Sequence, residues 1–156
     1  MTQTADTAVR CEILVEAPID RAFHAFTQEM SDWWNPDHHI LEGELAEMVI
    51  EPKVGGHIYD KGTDGTECRW ATVTAYDPPH RFAFSWNINL NWKLETDPEK
   101  TSEVEITFTE EGEHTRVQLE HRNIERHGDG WEKMGEAVGS PGGWPAGLER
   151  FANYLS

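Results

Sequence analysis

The sequence predicts an α+β fold in which a long C-terminal helix lies against a curved antiparallel β-sheet. Residues 9–122 consist mainly of segments in which apolar and polar side chains alternate, as they do on half-buried strands. Short turns join most of these segments, which favours antiparallel pairing with the helices gathered on one side. The last segment instead carries an apolar stripe at helical spacing, formed by Trp144, Leu148, Phe151 and Leu155.

The first strand and the first helix follow one another at the start of the chain. Residues 1–8 are mostly small and polar, so we expect a flexible terminus before a single domain at residues 9–156. The first strand is predicted by alternating apolar residues, namely Val9, Cys11, Ile13 and Val15. After Pro18, the side chains of Ile19, Phe23 and Phe26 fall on one side of a predicted helix.

The middle of the chain predicts further strands at residues 41–50, 57–59 and 68–76. The longest alternation covers residues 82–94 and predicts one half-buried antiparallel strand. A four-residue connection before it pairs Val73 with Phe84 on the inner face, and strict alternation then places Trp70 on the outer face.

A hairpin and two helices complete the predicted fold. The hairpin brings one apolar set opposite another across a turn, namely Val104, Ile106 and Phe108 opposite Val117 and Leu119. Residues 131–138 predict a short helix, and the glycines that follow it predict a break. Pro145 suits the first turn of the terminal helix, because an N–H at that position has no intrahelical partner.

Composition restricts the classes of partner. The formal net charge of −16 argues against nucleic acid and anionic membranes, because both attract basic surfaces. No apolar run approaches the ~18 residues that a membrane span requires. Cys11 and Cys68 are too few for a disulfide framework, so a cytoplasmic location is expected. The sequence is compatible with a monomer or with a homodimer formed through an exposed strand edge.

Taken together, these segments resemble the heat-shock-protein-90 ATPase activator homologue family across nearly the whole chain. The matching segments are Glu51-Pro-Lys-Val-Gly-Gly-His-Ile-Tyr59 and residues 26–34, 64–70, 75–86, 102–108, 115–121 and 143–155. The resemblance implies the START-like (SRPBCC) helix-grip fold, in which a curved antiparallel sheet wraps around the C-terminal helix and leaves a cavity. Short helices follow the first strand. Members of that superfamily bind lipids, polyketides, plant hormones and other apolar molecules, and some act as cyclases.

Aromatic residues are the best candidates for the lining of such a cavity. Ligand pockets are mostly apolar with a few placed polar groups, and tryptophan provides a large apolar body with one polar atom. The alternative is that these side chains simply fill the core. The predicted aromatic lining comprises Trp33, Trp34, Phe84, Trp86, Trp92, Trp144 and Phe151.

Three polar residues are predicted to face the cavity from the strands, namely His57, Tyr59 and His121. Either histidine is a candidate acid or base, with a structural role as the alternative. Arg122 is a candidate anchor for a ligand carboxylate, although surface pairing is the ordinary role of such a residue. Residues 37–39 combine Asp, His and His, but adjacent histidines on an extended chain point in opposite directions, so no metal site is predicted.

Three functional hypotheses follow. The first is a binder of a small hydrophobic or aromatic molecule, held between the sheet and the terminal helix. The second is an enzyme of the polyketide cyclase or dehydratase type, which uses His57 or His121 as the acid–base group. The third is a module that interacts with a chaperone or regulator through the outer sheet face. No nucleotide-binding or serine-hydrolase motif occurs, and no cofactor is predicted.

Overall fold

The predicted α+β helix-grip architecture is present in a computed structural model, which describes residues 8–34, 41 and 43–156. The strands are β1 Val9–Val15, β2 Leu45–Ile50, β3 His57–Gly62, β4 Glu67–Asp77, β5 Arg81–Trp86, β6 Ser102–Glu111 and β7 His114–Arg122. The helices are α1 Ile19–Gln28, α2 Met30–Trp33, α3 Trp131–Gly139 and α4 Trp144–Leu155, with 3-10 turns at Pro98–Lys100 and Ile124–His127. In the described part of the chain, seven antiparallel strands form one curled sheet in the order β1-β7-β6-β5-β4-β3-β2.

The C-terminal helix buries the stripe that its sequence predicts. Trp144, Leu148 and Phe151 are buried, and Leu155 is half-buried at the end of the helix. The ring centroid of Phe151 lies 5.0 Å from that of Trp33, at the end of α2. Burial of this apolar face against the sheet and the other helices is the main force that holds α4 in place.

The first helix lies over the same face of the sheet. Ile19, Phe23 and Phe26 are all buried, as their helical spacing predicts. The rings of Phe23 and Phe26 lie 5.2 and 5.8 Å from the ring of Phe108 on β6, in edge-to-face geometry. Phe26 also lies 5.2 Å from Phe151, so α1 and α4 share one core.

The last hairpin has the predicted register. Ile106 lies opposite Leu119, and Phe108 lies opposite Val117. The other side chains of β6 and β7 form charged pairs on the outer face. There Arg122 contacts three carboxylates, those of Glu103, Glu105 and Glu120. These contacts correspond to the surface pairing weighed for Arg122, and they leave its candidate role as a ligand anchor without support.

The long strand predicted at residues 82–94 is interrupted. β5 ends at Trp86, and the chain then turns around the side chain of Asn89. The Oδ1 atom of Asn89 accepts the backbone N–H groups of Asn91 and Lys93 at 2.9 and 3.0 Å. A side chain that bonds nearby backbone in this way competes with the strand ladder, and the alternating pattern does not reveal that competition.

Candidate ligand site

Four tryptophan side chains form a closed circuit of contacts between the sheet and the C-terminal helix, which we name the tryptophan ring. Trp34 follows α2, Trp70 lies on β4, Trp86 on β5 and Trp144 on α4. The centroid distances are 6.4 Å from Trp34 to Trp70, 5.6 Å from Trp70 to Trp86, 5.6 Å from Trp86 to Trp144 and 5.8 Å from Trp144 to Trp34. Four separate elements therefore converge on one aromatic surface.

The members of the tryptophan ring differ in exposure. Trp70, Trp86 and Trp144 are 3%, 6% and 5% exposed, whereas Trp34 is half-buried. Trp34 is therefore the member that reaches solvent, and it marks the outer side of the ring. Three further residues of the predicted lining lie in the core and support the ring from behind, namely Trp33, Phe84 and Phe151.

Strict alternation along β4 predicts that Trp70 lies on the outer face, but Trp70 is a member of the tryptophan ring on the inner face. In the pairing of β3 with β4, Ile58 lies opposite Ala71, but Tyr59 lies opposite Arg69. Trp70 is the extra residue of a β-bulge at this point, and a bulge shifts the inward and outward phase of its strand. The bulge therefore turns the Trp70 side chain to the inner face. Strict alternation counted back from Val73 predicts the outer face instead.

His57 and Tyr59 lie on the outer face of β3, so the prediction that they face the cavity is wrong. The intervening Ile58 and the next residue, Asp60, are buried, whereas the His57 side chain is 40% exposed. The guanidinium carbon of Arg69 lies 4.8 Å above the ring of Tyr59, as in cation–π pairs at exposed sites. Alternation over three residues, with two ring-bearing side chains on one face and one aliphatic side chain on the other, does not determine which face is inner.

Trp92 also lies away from the tryptophan ring, contrary to its predicted inward position. Its side chain is 47% exposed, and its backbone adopts φ 60°, in the left-handed region. The turn around Asn89 removes Trp92 from the strand whose alternation predicted it to face inward. The neighbouring Leu94 is 42% exposed for the same reason.

The inner polar group on β3 is Asp60, which the sequence analysis did not single out. Its carboxylate is 1% exposed, and its Oδ1 atom accepts the indole N–H of Trp70 at 3.0 Å. A buried carboxylate costs free energy unless it is hydrogen-bonded, so this contact contributes to the placement of the Trp70 ring. The predicted strand at residues 57–59 ends before Asp60, so its alternation gives no signal for this residue.

His121 lies inside as predicted, where it is part of a buried hydrogen-bond chain. The indole N–H of Trp144 donates to His121 Nδ1 at 3.1 Å. His121 Nε2 lies 2.7 Å from Ser102 Oγ, and Ser102 Oγ lies 2.8 Å from His127 Nε2. Because an indole is only a donor, Nδ1 of neutral His121 is an acceptor, so its proton lies on Nε2 and is donated to Ser102. The Ser102 hydroxyl then donates to His127.

Burial keeps both histidines neutral. It lowers the pKa of His121 to about 3, and the nearby His127 lowers it further in the same direction. Burial also lowers the pKa of His127, with Glu95 and the Lys100 carbonyl acting in the opposite direction. Since both ring nitrogens of His121 already have hydrogen-bond partners, the chain orients Trp144 rather than presenting a free acid or base.

The predicted absence of a metal site at residues 37–39 concerns residues outside the described part of the chain. Across residues 8–34, 41 and 43–156, no cluster of three metal-ligating side chains occurs. In the same described segments, no helix is long and apolar enough to cross a membrane.

The sheet and the helix that it grips also occur in proteins of known structure. The structure described as the anthrahydroquino-γ-pyrone synthase Txn09 complexed with SUM is 39% identical, with a TM-score of 0.66, over 94% of this chain and 95% of that one. The self-sacrificing resistance protein CalC from Micromonospora echinospora is 27% identical, with a TM-score of 0.68, over 96% and 94% of the two chains. Protein NE0264 from Nitrosomonas europaea is 14% identical over 95% and 93%, and its TM-score of 0.68 shows the shared fold.

The family is established by a match to most of the sequence. No curated protein matches the chain. Residues 16–156, however, match the family described as Activator of Hsp90 ATPase homolog 1-like protein. The match begins immediately after β1 and includes every member of the tryptophan ring and of the buried histidine chain. The chain therefore belongs to the Activator of Hsp90 ATPase homolog 1-like family, with the helix-grip fold of the START-like superfamily.

Proposed function

We propose that this protein binds a flat polycyclic aromatic molecule of the polyketide type against the tryptophan ring. The observation that carries this proposal is the closed circuit of Trp34, Trp70, Trp86 and Trp144, with centroids 5.6 to 6.4 Å apart. Indole faces and edges favour stacked or edge-to-face contact with another aromatic system, and burial of a fused ring supplies affinity. Asp60, which accepts the indole N–H of Trp70, supplies a buried polar group beside the ring that orients such a ligand.

The relatives support this class of ligand. Txn09 is named as an anthrahydroquino-γ-pyrone synthase, and a molecule of that name carries fused aromatic rings. CalC is described as a resistance protein, so a protein with this fold is not necessarily a biosynthetic enzyme. The name of Txn09 supports an aromatic polyketide as the ligand, and the description of CalC, which names no ligand, is compatible with it.

The proposal predicts that an anthraquinone quenches the intrinsic tryptophan fluorescence in a saturable manner and raises the melting temperature. At a ligand concentration of about 100 times Kd, linkage adds about 2.7 kcal/mol to the free energy of unfolding. For a chain of this size, that corresponds to a rise of roughly 5 to 11 °C. The measurements are a fluorescence titration and a thermal melt with anthraquinone, and decanoate serves as a non-aromatic comparison.

Two tryptophan variants locate the binding. Trp34→Ala removes the half-buried member of the tryptophan ring, so we expect a loss of anthraquinone affinity of at least tenfold, from about 1.4 kcal/mol of lost aromatic contact. Trp92→Ala removes an exposed tryptophan outside the ring and should leave the affinity unchanged. Equal losses in the two variants, or no saturation with the unmodified protein, would refute the proposed site.

A second candidate function is ring closure in such a ligand, and the 39% identity to Txn09 is the observation that favours it. In the formation of a γ-pyrone from an ortho-hydroxyaryl diketone, the phenol oxygen attacks the distal carbonyl carbon and one water is lost. His57 lies on the outer face of β3 and His121 has both ring nitrogens engaged, so neither histidine hypothesis keeps its support. Asp60 is the buried carboxylate beside the ring, and we assign it as the acceptor of the phenol proton.

This second candidate predicts that the protein converts an ortho-hydroxyaryl diketone to a product lighter by one water. Asp60→Asn keeps the size of the side chain but removes its basicity, so the rate should fall by about a hundredfold. Asp77→Asn, at the exposed end of β4, should keep the rate of the unmodified protein. Mass spectrometry of the product over time measures both rates. Binding without turnover would eliminate this candidate while leaving the first intact.

A further inference from the structure

One indole N–H of the tryptophan ring has no acceptor among the residues that the structure describes. Two other members of the ring donate to protein atoms: Trp70 to Asp60 at 3.0 Å and Trp144 to His121 at 3.1 Å. Trp33, outside the ring, donates to the Ala25 carbonyl at 3.0 Å. The Nε1 atom of Trp86 is buried and finds no hydrogen-bond partner in the described part of the chain. The Trp86 side chain is also more than nine-tenths buried, with 6% exposure, so bulk water does not satisfy this donor.

A buried donor without a partner destabilises the protein that carries it. Transfer of an N–H group out of water without a new hydrogen bond is unfavourable, and native structures contain few such groups. Each exception therefore needs an explanation. In ligand pockets, a few such polar atoms orient an otherwise apolar ligand. The ring of Trp86 contacts Trp70, Trp144 and His121 at 5.6, 5.6 and 5.1 Å, so the unpaired donor belongs to the tryptophan ring, against which the proposed ligand would bind.

The surroundings also indicate which acceptor fits. The donor is uncharged, and its nearest side chains are aromatic rings. Asp60, bonded to the adjacent Trp70, adds a carboxylate close by, and the protein has a net charge of −16. The Asp60 carboxylate would repel a ligand carboxylate or phosphate. A neutral carbonyl oxygen on a fused aromatic ring is not repelled in this way.

We propose that the indole N–H of Trp86 donates to a carbonyl oxygen of the bound ligand, and that the site therefore selects quinones over unoxygenated polycyclic hydrocarbons. This inference rests on the proposed function, because it names the atom that recognises the ligand of that same site. Apolar contact with the tryptophan ring supplies most of the affinity, and the Trp86 donor supplies the preference for an oxygen at one edge of the ligand.

The test compares two probes of equal shape, anthraquinone and anthracene, each carrying the same hydroxymethyl group for solubility. Isothermal titration calorimetry of the unmodified protein should give about fivefold tighter binding of the anthraquinone, as one uncharged hydrogen bond provides. Trp86→Phe should reduce this preference to near one. Replacement of Trp86 by benzothienylalanine removes the N–H and keeps the fused ring, so it gives the same test if the phenylalanine variant does not fold.

Trp70→Phe is the matched control. It removes the same volume from the same ring, but the lost N–H is one that Asp60 already accepts. Both probes should bind this variant more weakly, with the preference for the anthraquinone retained. The inference is overturned by a preference near one in the unmodified protein, or by a preference that survives both changes at Trp86. If neither probe binds the unmodified protein, the proposed function is refuted as well. If both probes bind equally well, only the inference about Trp86 is refuted.

Discussion

Gly143→Ala should destabilise the protein by about 3 kcal/mol, the upper part of the usual range for overpacking. Gly143 immediately precedes α4, where the chain turns back from α3. A β-carbon at this position would lie 2.2 Å from the carbonyl oxygen of Val138 and 2.6 Å from that of Ala137. Both are backbone atoms at the end of α3, so a side-chain rotation cannot relieve the contact. The junction between the two helices must shift instead.

Gly142→Ala is the control at the adjacent residue. A β-carbon there meets nothing within 4 Å, so the free energy of unfolding should change by at most about 0.5 kcal/mol. Urea denaturation of the three proteins measures the difference, and the thermal midpoint of the Gly143 variant should fall by roughly 6 to 12 °C. Equal stability of the two variants would show that the close approach at Gly143 is not a constraint.

The same substitution should also affect the ligand site. Trp144 follows Gly143 directly and contributes both a member of the tryptophan ring and the donor to His121. A displaced start of α4 therefore moves this indole relative to Trp34 and Trp86. We expect the folded fraction of the Gly143 variant to bind anthraquinone more weakly than the Gly142 variant does.

Acidification from pH 6.5 to pH 5 should lower the free energy of unfolding by about 2 kcal/mol through His121. The folded pKa of His121, about 3, lies below its ordinary value of 6.5 because the ring is buried. Above pH 6.5 the residue is neutral in both states, and the contribution to stability is complete. Below pH 6.5 the unfolded chain takes up the proton and the folded chain does not. Stability is therefore lost as the pH falls, and the loss continues towards pH 3.

The pH window separates this effect from that of the carboxylates. Hydrogen bonds to Arg21 and Tyr154 lower the pKa of Glu29, and contacts with Arg81 and Arg122 lower that of Glu105 against the effect of burial. Groups with lowered carboxyl pKa values contribute stability above about pH 4.5 and lose it only below that value. Between pH 6.5 and 5, the loss of stability belongs mainly to the buried histidines.

His121→Gln provides the test, because an amide retains one donor and one acceptor but does not titrate. Urea denaturation at pH 7.5, 6.5 and 5 should show a lower stability at pH 7.5 and a much smaller loss on acidification than in the unmodified protein. His80→Gln, on the exposed turn before β5, is the control and should keep the full loss. If His121→Gln and the unmodified protein lose the same stability, the buried chain is not the source of the pH dependence.

Helix α4 and the last hairpin were predictable because their patterns are long and depend on local geometry. Trp144, Leu148 and Phe151 bury one face wherever the helix packs, since helical periodicity alone aligns them. In the hairpin, Phe108 meets Val117 because a short turn limits the register to few choices. Such elements need no information about distant parts of the chain.

The inner face of β3 and β4 was not predictable in the same way. One extra residue at the Trp70 bulge reverses the phase of β4, and the three-residue alternation at His57 leaves the phase of β3 undetermined. Trp70 and Asp60 therefore replace His57 and Tyr59 as inner groups. The side chain of Asn89 similarly ends the alternation that pointed Trp92 inward.

The amino-acid order by itself determined the fold class, the antiparallel hairpins and the apolar face of the C-terminal helix, because periodicity and turn chemistry act over a few residues. Only the tertiary structure decided that Trp34, Trp70, Trp86 and Trp144 meet in one ring and that Ser102 links His121 to His127. These contacts join residues that are far apart in the chain, and their geometry depends on bulges and on the curl of the sheet. The site is formed by packing between separate elements, and the alternation of side chains within one element does not reveal that packing.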